Sequence, residues 1–144
     1  MPSYVLIQII CIDGRDQALP DDGAVLIVDD NPALLRSLQR LLKAHGLAVR
    51  TFDSAETFCA AANPDEGLCL VLDINLNGSS GIELSRSLTA SGSSVPVIFI
   101  TANDSEHLRK EAADAGCLAY LTKPFASRLL LDAISKAAAL RKSS

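Results

Sequence analysis

Several side chains in this sequence could do chemistry if they met: the adjacent carboxylates Asp29 and Asp30, the single carboxylate Asp73, the hydroxyl of Thr101 and the ammonium of Lys123, which precedes Pro124. Each group follows a short apolar run, "VLIV" before Asp29, "LVL" before Asp73, "VIFI" before Thr101 and "AYLT" before Lys123. Three carboxylates in one small volume repel one another at the kcal/mol scale even at moderate dielectric, so sharing a location requires a compensating charge. A hard divalent cation supplies it. An all-oxygen set of carboxylates, a backbone carbonyl and water suits magnesium, and manganese fits the same ligands. The lysine and threonine are then free to bind anionic oxygens. Together the groups describe phosphoryl transfer, in which cations neutralise the moving group, a hydroxyl hydrogen-bonds it and a carboxylate acts as nucleophile.

Taken singly, each feature has an ordinary explanation. An Asp-Asp pair at a strand end usually caps a helix, Lys-Pro marks a turn, a threonine caps, and Tyr120 reads as a packing aromatic. His45 and His107 fall on predicted helix surfaces with no catalytic partner close in sequence and read as solvated. Joint placement at the ends of separate strands is what turns the set into a site.

Those strands are read from periodicity. Short apolar runs at Val25 to Val28, Ala48 to Phe52, Leu68 to Leu72, Val95 to Ile100 and Leu118 to Leu121 are rich in β-branched residues and too short for helices. The third and fourth are apolar almost throughout, as strands covered on both faces must be. Helical stripes lie between and after them. Pro32 to His45 carries Leu34, Leu35, Leu38, Leu41 and Leu42, with Asn31 and Pro32 suited to its start and Gly46 to its stop. Further helices are predicted over Ser54 to Ala62, Ser79 to Ala90, Asp104 to Ala115 and Ala126 to Leu140, the last directing Leu129, Leu130, Ile134 and Ala137 at the sheet. Strands alternating with helices through short links imply a doubly wound α/β fold with a parallel sheet and helices on both faces. Ligands of such sheets bind outside the carboxyl ends of the strands, where these groups fall.

Composition narrows the function classes. The 144 residues suit one domain that buries roughly two-thirds of its unfolded surface. Net charge is −4, with 13 basic and 17 acidic residues and no long run of either sign, which argues against direct nucleic-acid binding. Cys11, Cys59, Cys69 and Cys117 lack zinc-ligand spacing and read as free, mostly buried thiols of a reducing compartment. The apolar run Tyr4 to Ile12 has no basic flank or cleavage site and is far shorter than the ~20 residues of a membrane span, so neither membrane insertion nor export is expected and the cytoplasm is the default location.

The stretches "VLIVDDNP", "LVLDINLNGSSGIEL", "PVIFITA" and "AYLTKPF" together resemble, in order and interval, the signatures of a response-regulator receiver domain of two-component signalling, from about Ala24 to Leu140. The resemblance is strongest to receivers of the nitrogen-fixation and LuxR-output group. It implies a flavodoxin-like five-stranded parallel sheet of order 2-1-3-4-5. Asp73 is then the aspartate phosphorylated by a phosphohistidine on a partner sensor kinase or phosphotransfer protein. Asp30 binds magnesium directly, Asp29 mainly through water, and Asp73 and the backbone carbonyl of Asn75 complete the protein ligands. Thr101, Ala102 and Lys123 engage the phosphoryl group, Pro124 follows a peptide bond that is usually cis, and Tyr120 is the aromatic switch. Its movement would alter the face made by the fourth helix, fifth strand and fifth helix, a surface through which such domains also pair as homodimers.

Departures from the family pattern include Leu76-Asn77-Gly78, where many members carry a proline before the glycine; Asn77 suits the turn but gives a less rigid loop. Asn75 and Asn103 stand where the family adjusts the lifetime of its phosphoryl group. Residues 1–22 form an extension outside the resemblance, readable as an edge strand, a segment packed on a second copy or unstructured sequence; residues 23–142 form the receiver, and no output domain is expected within the 144 residues. Two other readings share these residues. One is a magnesium-dependent aspartate-nucleophile phosphohydrolase of the haloacid dehalogenase kind, which places a second carboxylate where this chain has Asn75. The other is a receiver-like interaction module that is never phosphorylated. A dinucleotide-binding module is disfavoured, because Gly78-Ser79-Ser80-Gly81 does not match G-x-G-x-x-G.

Overall fold

A computed structural model describes residues 23–143. The amino-terminal apolar run, and every expectation attached to it, lies outside the described residues.

The chain runs β1 (Val25–Val28), α1 (Pro32–Ala44), β2 (Val49–Phe52), α2 (Ala55–Ala61), a 3-10 turn (Pro64–Glu66), β3 (Cys69–Asp73), β4 (Asn75–Leu76), β5 (Ser79–Ser80), α3 (Gly81–Ala90), β6 (Val97–Thr101), α4 (Glu106–Asp114), β7 (Ala119–Thr122) and α5 (Ser127–Ser143). Five strands pair in parallel in the order β2-β1-β3-β6-β7. Counted among themselves, these strands have the expected flavodoxin-like order 2-1-3-4-5.

Burial explains the strand sequences. Every residue of β1, β3 and β6 is buried, since helices cover both faces of the central strands and neither face needs polar residues. On one face Val25, Ile27, Val71, Ile98 and Ile100 pack with Leu35, Leu38 and Leu42 of α1 and Leu130, Ile134 and Ala137 of α5. On the other, Leu26, Val28, Leu70, Leu72 and Phe99 pack with Phe58 of α2, Ile82 of α3 and Ala112 of α4. Alternate residues of each strand thus serve opposite cores, and a one-residue slip would exchange them.

Helix starts are fixed by side-chain caps. The Asn31 carboxamide oxygen accepts the backbone N–H groups of Ala33 and Leu34, with Pro32 in the first turn where its missing donor costs nothing. Ser54, Ser80 and Ser105 cap α2, α3 and α4 in the same manner.

Four details differ from the sequence reading. Helix α3 begins at Gly81 and not Ser79, because Ser79 and Ser80 pair back antiparallel with Leu76 and Asn75 around an Asn77-Gly78 turn in which Gly78 takes φ 76°. Helix α4 starts at Glu106 and not Asp104, because Ser105 is the extended cap residue and the Asp104 carboxylate is engaged elsewhere. Leu129 does not face the sheet: it is 45% exposed, and the inward positions of α5 are Leu130, Ala133, Ile134 and Ala137. Among the described residues the cysteines are not mostly buried, and Cys11 lies outside them. Cys69 is buried and Cys117 half-buried, but Cys59 is exposed because its neighbour Phe58 takes the inward position of α2. All three are free thiols.

Candidate functional site

The carboxyl ends of β1, β3, β6 and β7 meet along one rim. The parallel order makes this unavoidable: β3 lies between β1 and β6, and β7 follows β6 in register, with Thr101 opposite Thr122. Asp29, Asp30 and Asp73 each offer a carboxylate oxygen, and these atoms lie within 4.8 Å of one another. Asp29 and Asp73 are buried and Asp30 is half-buried.

Lys123 reaches across from the end of β7. Its Nζ is 2.7 Å from Asp29 Oδ2 and 3.2 Å from Asp73 Oδ2, bridging the two buried carboxylates. The remaining oxygens are held by backbone: Asp29 Oδ1 accepts the Asn31 N–H at 2.8 Å, and Asp73 Oδ1 accepts the Asn75 N–H at 3.0 Å. Thr101 Oγ1 accepts the Asn103 N–H at 3.1 Å and the Asn75 carboxamide at 3.4 Å, while the Thr101 carbonyl accepts the Lys123 N–H at 2.8 Å. The peptide bond between Lys123 and Pro124 is cis. Ala102 is exposed beside Thr101 on the loop leaving β6.

Burial raises the Asp73 carboxyl above its ordinary range and the Asp29 charge adds to this, opposed by the Asn75 N–H and by Lys123. Burial alone would depress the Lys123 ammonium, but its hydrogen bond to Asp29 and the charges of Asp73 and Asp29 prevail and hold it above the usual lysine value. The donor set fits a hard divalent cation. It consists of oxygens, it is clustered at the carboxyl ends of the strands, and its three carboxylates are offset by a single nearby ammonium.

Every site residue expected from the sequence lies on this rim except Tyr120, which is half-buried and whose hydroxyl donates to Asp104 Oδ1 at 3.0 Å. One supporting group escapes sequence reading, the Arg109 side chain of α4 that grips Asp104; the Asn31 N–H that orients Asp29 belongs to the cap residue of α1, expected at the helix start. Among the described residues, no helix is long and apolar enough to cross a membrane.

Fold and rim define a doubly wound α/β protein with an acidic, lysine-bridged pocket at the strand ends. The family described as the response regulator receiver domain matches residues 25–135, and the chain belongs to this family, the receivers of two-component systems. The response regulator protein TmoT of Ectopseudomonas mendocina is 34% identical over 124 residues, which are 86% of this chain and 56% of that protein. Among solved structures, the response regulator StyR shares 40% identity at a TM-score of 0.77, covering 84% of this chain and 61% of that one. FixJ-N shares 36% identity at a TM-score of 0.73, covering 81% and 94%. The chain spans about half the length of the curated relatives it matches, from 51% to 56% for the first three.

Proposed function

We propose that this receiver takes a phosphoryl group onto Asp73 from a phosphohistidine of a partner sensor kinase or phosphotransfer protein. The observation that carries the reading is the position of Asp73 itself: buried at the end of the central strand, beside two further carboxylates, and already paired with Lys123. A carboxylate oxygen of Asp73 attacks phosphorus, the phosphorus–nitrogen bond breaks, and the histidine nitrogen recovers the electron pair. The phosphohistidine reacts with its other ring nitrogen protonated, so the products are an acyl phosphate and a neutral imidazole, and atoms and charge balance.

Magnesium, or manganese, held by Asp29, Asp30, Asp73 and the Asn75 carbonyl would supply the charge neutralisation that lets a dianionic group approach an anionic pocket. The Asn75 N–H fixes the direction of the attacking carboxylate, and Asn31 does the same for Asp29. Lys123, already at the pocket, pairs with the transferred group, and Thr101 and the Ala102 backbone at the neighbouring strand end hydrogen-bond it. The new charge draws Thr101 and its loop and biases the face made by α4, β7 and α5, including Tyr120. That face, or residues 1–22, would mediate any pairing with a second copy. Incubation with acetyl phosphate and magnesium tests the reading. Stoichiometric labelling that stops at one group per chain supports it, whereas continuous turnover of a phosphate ester supports a hydrolase, and no labelling under any donor supports a non-phosphorylated module.

A further inference from the structure

Asp104 ends the short loop that leaves Thr101, and three elements meet on it. Arg109 of α4 donates from Nε to Asp104 Oδ1 and from Nη2 to Oδ2, both at 2.9 Å, a bidentate fork. The Tyr120 hydroxyl of β7 donates to Asp104 Oδ1 at 3.0 Å. The Arg109 guanidinium also lies 5.1 Å from the centre of the Tyr120 ring, so the arginine holds the tyrosine by its face as well as through the shared carboxylate. The other end of the loop is tied to the pocket, where the Asn103 N–H rests on Thr101 Oγ1.

The loop is therefore held at both ends. Any pull on Thr101 toward a group on Asp73 is felt at Asp104 within three residues. The Arg109 and Asp104 side chains are 56% and 38% exposed, so the clamp adds little to global stability, yet a weak contact suffices to bias a balanced two-state element. We propose that the Asp104–Arg109 clamp is a latch that holds Tyr120 in its resting position, half-buried with its hydroxyl on Asp104, so that phosphorylation must break it. The proposal rests on the reading of Asp73 as phosphoacceptor.

The chain has two tyrosines, Tyr4 and Tyr120, and no tryptophan, so fluorotyrosine labelling of the full chain gives two fluorine resonances that Tyr4→Phe assigns. Wild type, Arg109→Gln and Asp104→Asn are compared at rest and after acetyl phosphate with magnesium. At rest, the Tyr120 resonance of both variants moves along the line from the wild-type resting to the wild-type phosphorylated position. The activated population rises about two- to fivefold, and Asp73 labels faster by a similar factor, the range that an exposed ion pair can bias. A Tyr120 resonance that stays at the wild-type resting position, or leaves that line while the melting temperature falls, overturns the latch alone. Absence of labelling at Asp73 in the wild type overturns the receiver reading and the latch with it.

Discussion

Replacing Gly81 with alanine probes how rigidly the fold presents Asp73. Gly81 opens α3, is buried, and donates its N–H to the Ile74 carbonyl at 2.8 Å, which brings the start of the helix against the end of β3. A methyl group there would overlap the carbonyl oxygen of Asp73 and lie 3.0 Å from its carbonyl carbon and 3.1 Å from the Ile74 Cα. These are backbone atoms of a central strand, which cannot rotate aside as a side chain could. Relief requires a displacement of roughly 1 Å, and overpacking of this kind costs about 2–3 kcal/mol. The same displacement acts on the residue that carries the chemistry. Misplacing a reacting group by about 1 Å lowers rates roughly 100-fold. Gly46→Ala is the control: φ is +80° there but no atom lies within 4 Å, so about 1 kcal/mol of backbone strain is expected with labelling unchanged. Urea unfolding and the initial rate of labelling by acetyl phosphate read both quantities. Gly81→Ala with wild-type stability and a wild-type rate would refute the reasoning.

Other expectations follow from single groups. Asp30→Asn removes one of three crowded carboxylates that share one ammonium, so the metal-free protein gains about 1 kcal/mol of stability and loses its stabilisation by magnesium; chelator-treated and magnesium-loaded melts check both. Burial pushes the Cys69 thiol from 9.0 up to about 12, so in native protein it resists alkylation at neutral pH while exposed Cys59 reacts, as peptide mass analysis would show. Because the folded-state value is the raised one, this contribution is complete below pH 9 and is lost as pH rises from 9 toward 12, where the unfolded thiol ionises first; Cys69→Ala should flatten alkaline denaturation in that window.

The sequence carried the sheet and most of the pocket for a physical reason. Strands buried on both faces tolerate almost nothing polar, so Asp73 and Thr101 at the ends of β3 and β6 stand out against "CLVL" and "VIFI". Side-chain direction was less legible. The run Leu129-Leu130-Leu131 has no gap to fix helical phase, and the inward position went to Leu130. The β4–β5 hairpin did have a signal, the Asn77-Gly78 pair, but the stripe of Ile82, Leu84 and Leu88 extended the predicted helix over it. The Asp104 clamp joins a loop, a helix and a strand, and nothing local marks Arg109 as its partner among the charged residues of α4.

Phosphorylation of the single carboxylate of Asp73 is tested most directly by locating the phosphoryl group. The full chain is incubated with acetyl phosphate and magnesium, the acyl phosphate is trapped by borohydride reduction, and the modified residue is found by peptide mass analysis. One modification per chain at Asp73, lost in Asp73→Asn and in the presence of a chelator, is the predicted result. A stable modification at another residue, or undiminished labelling of Asp73→Asn, would contradict it.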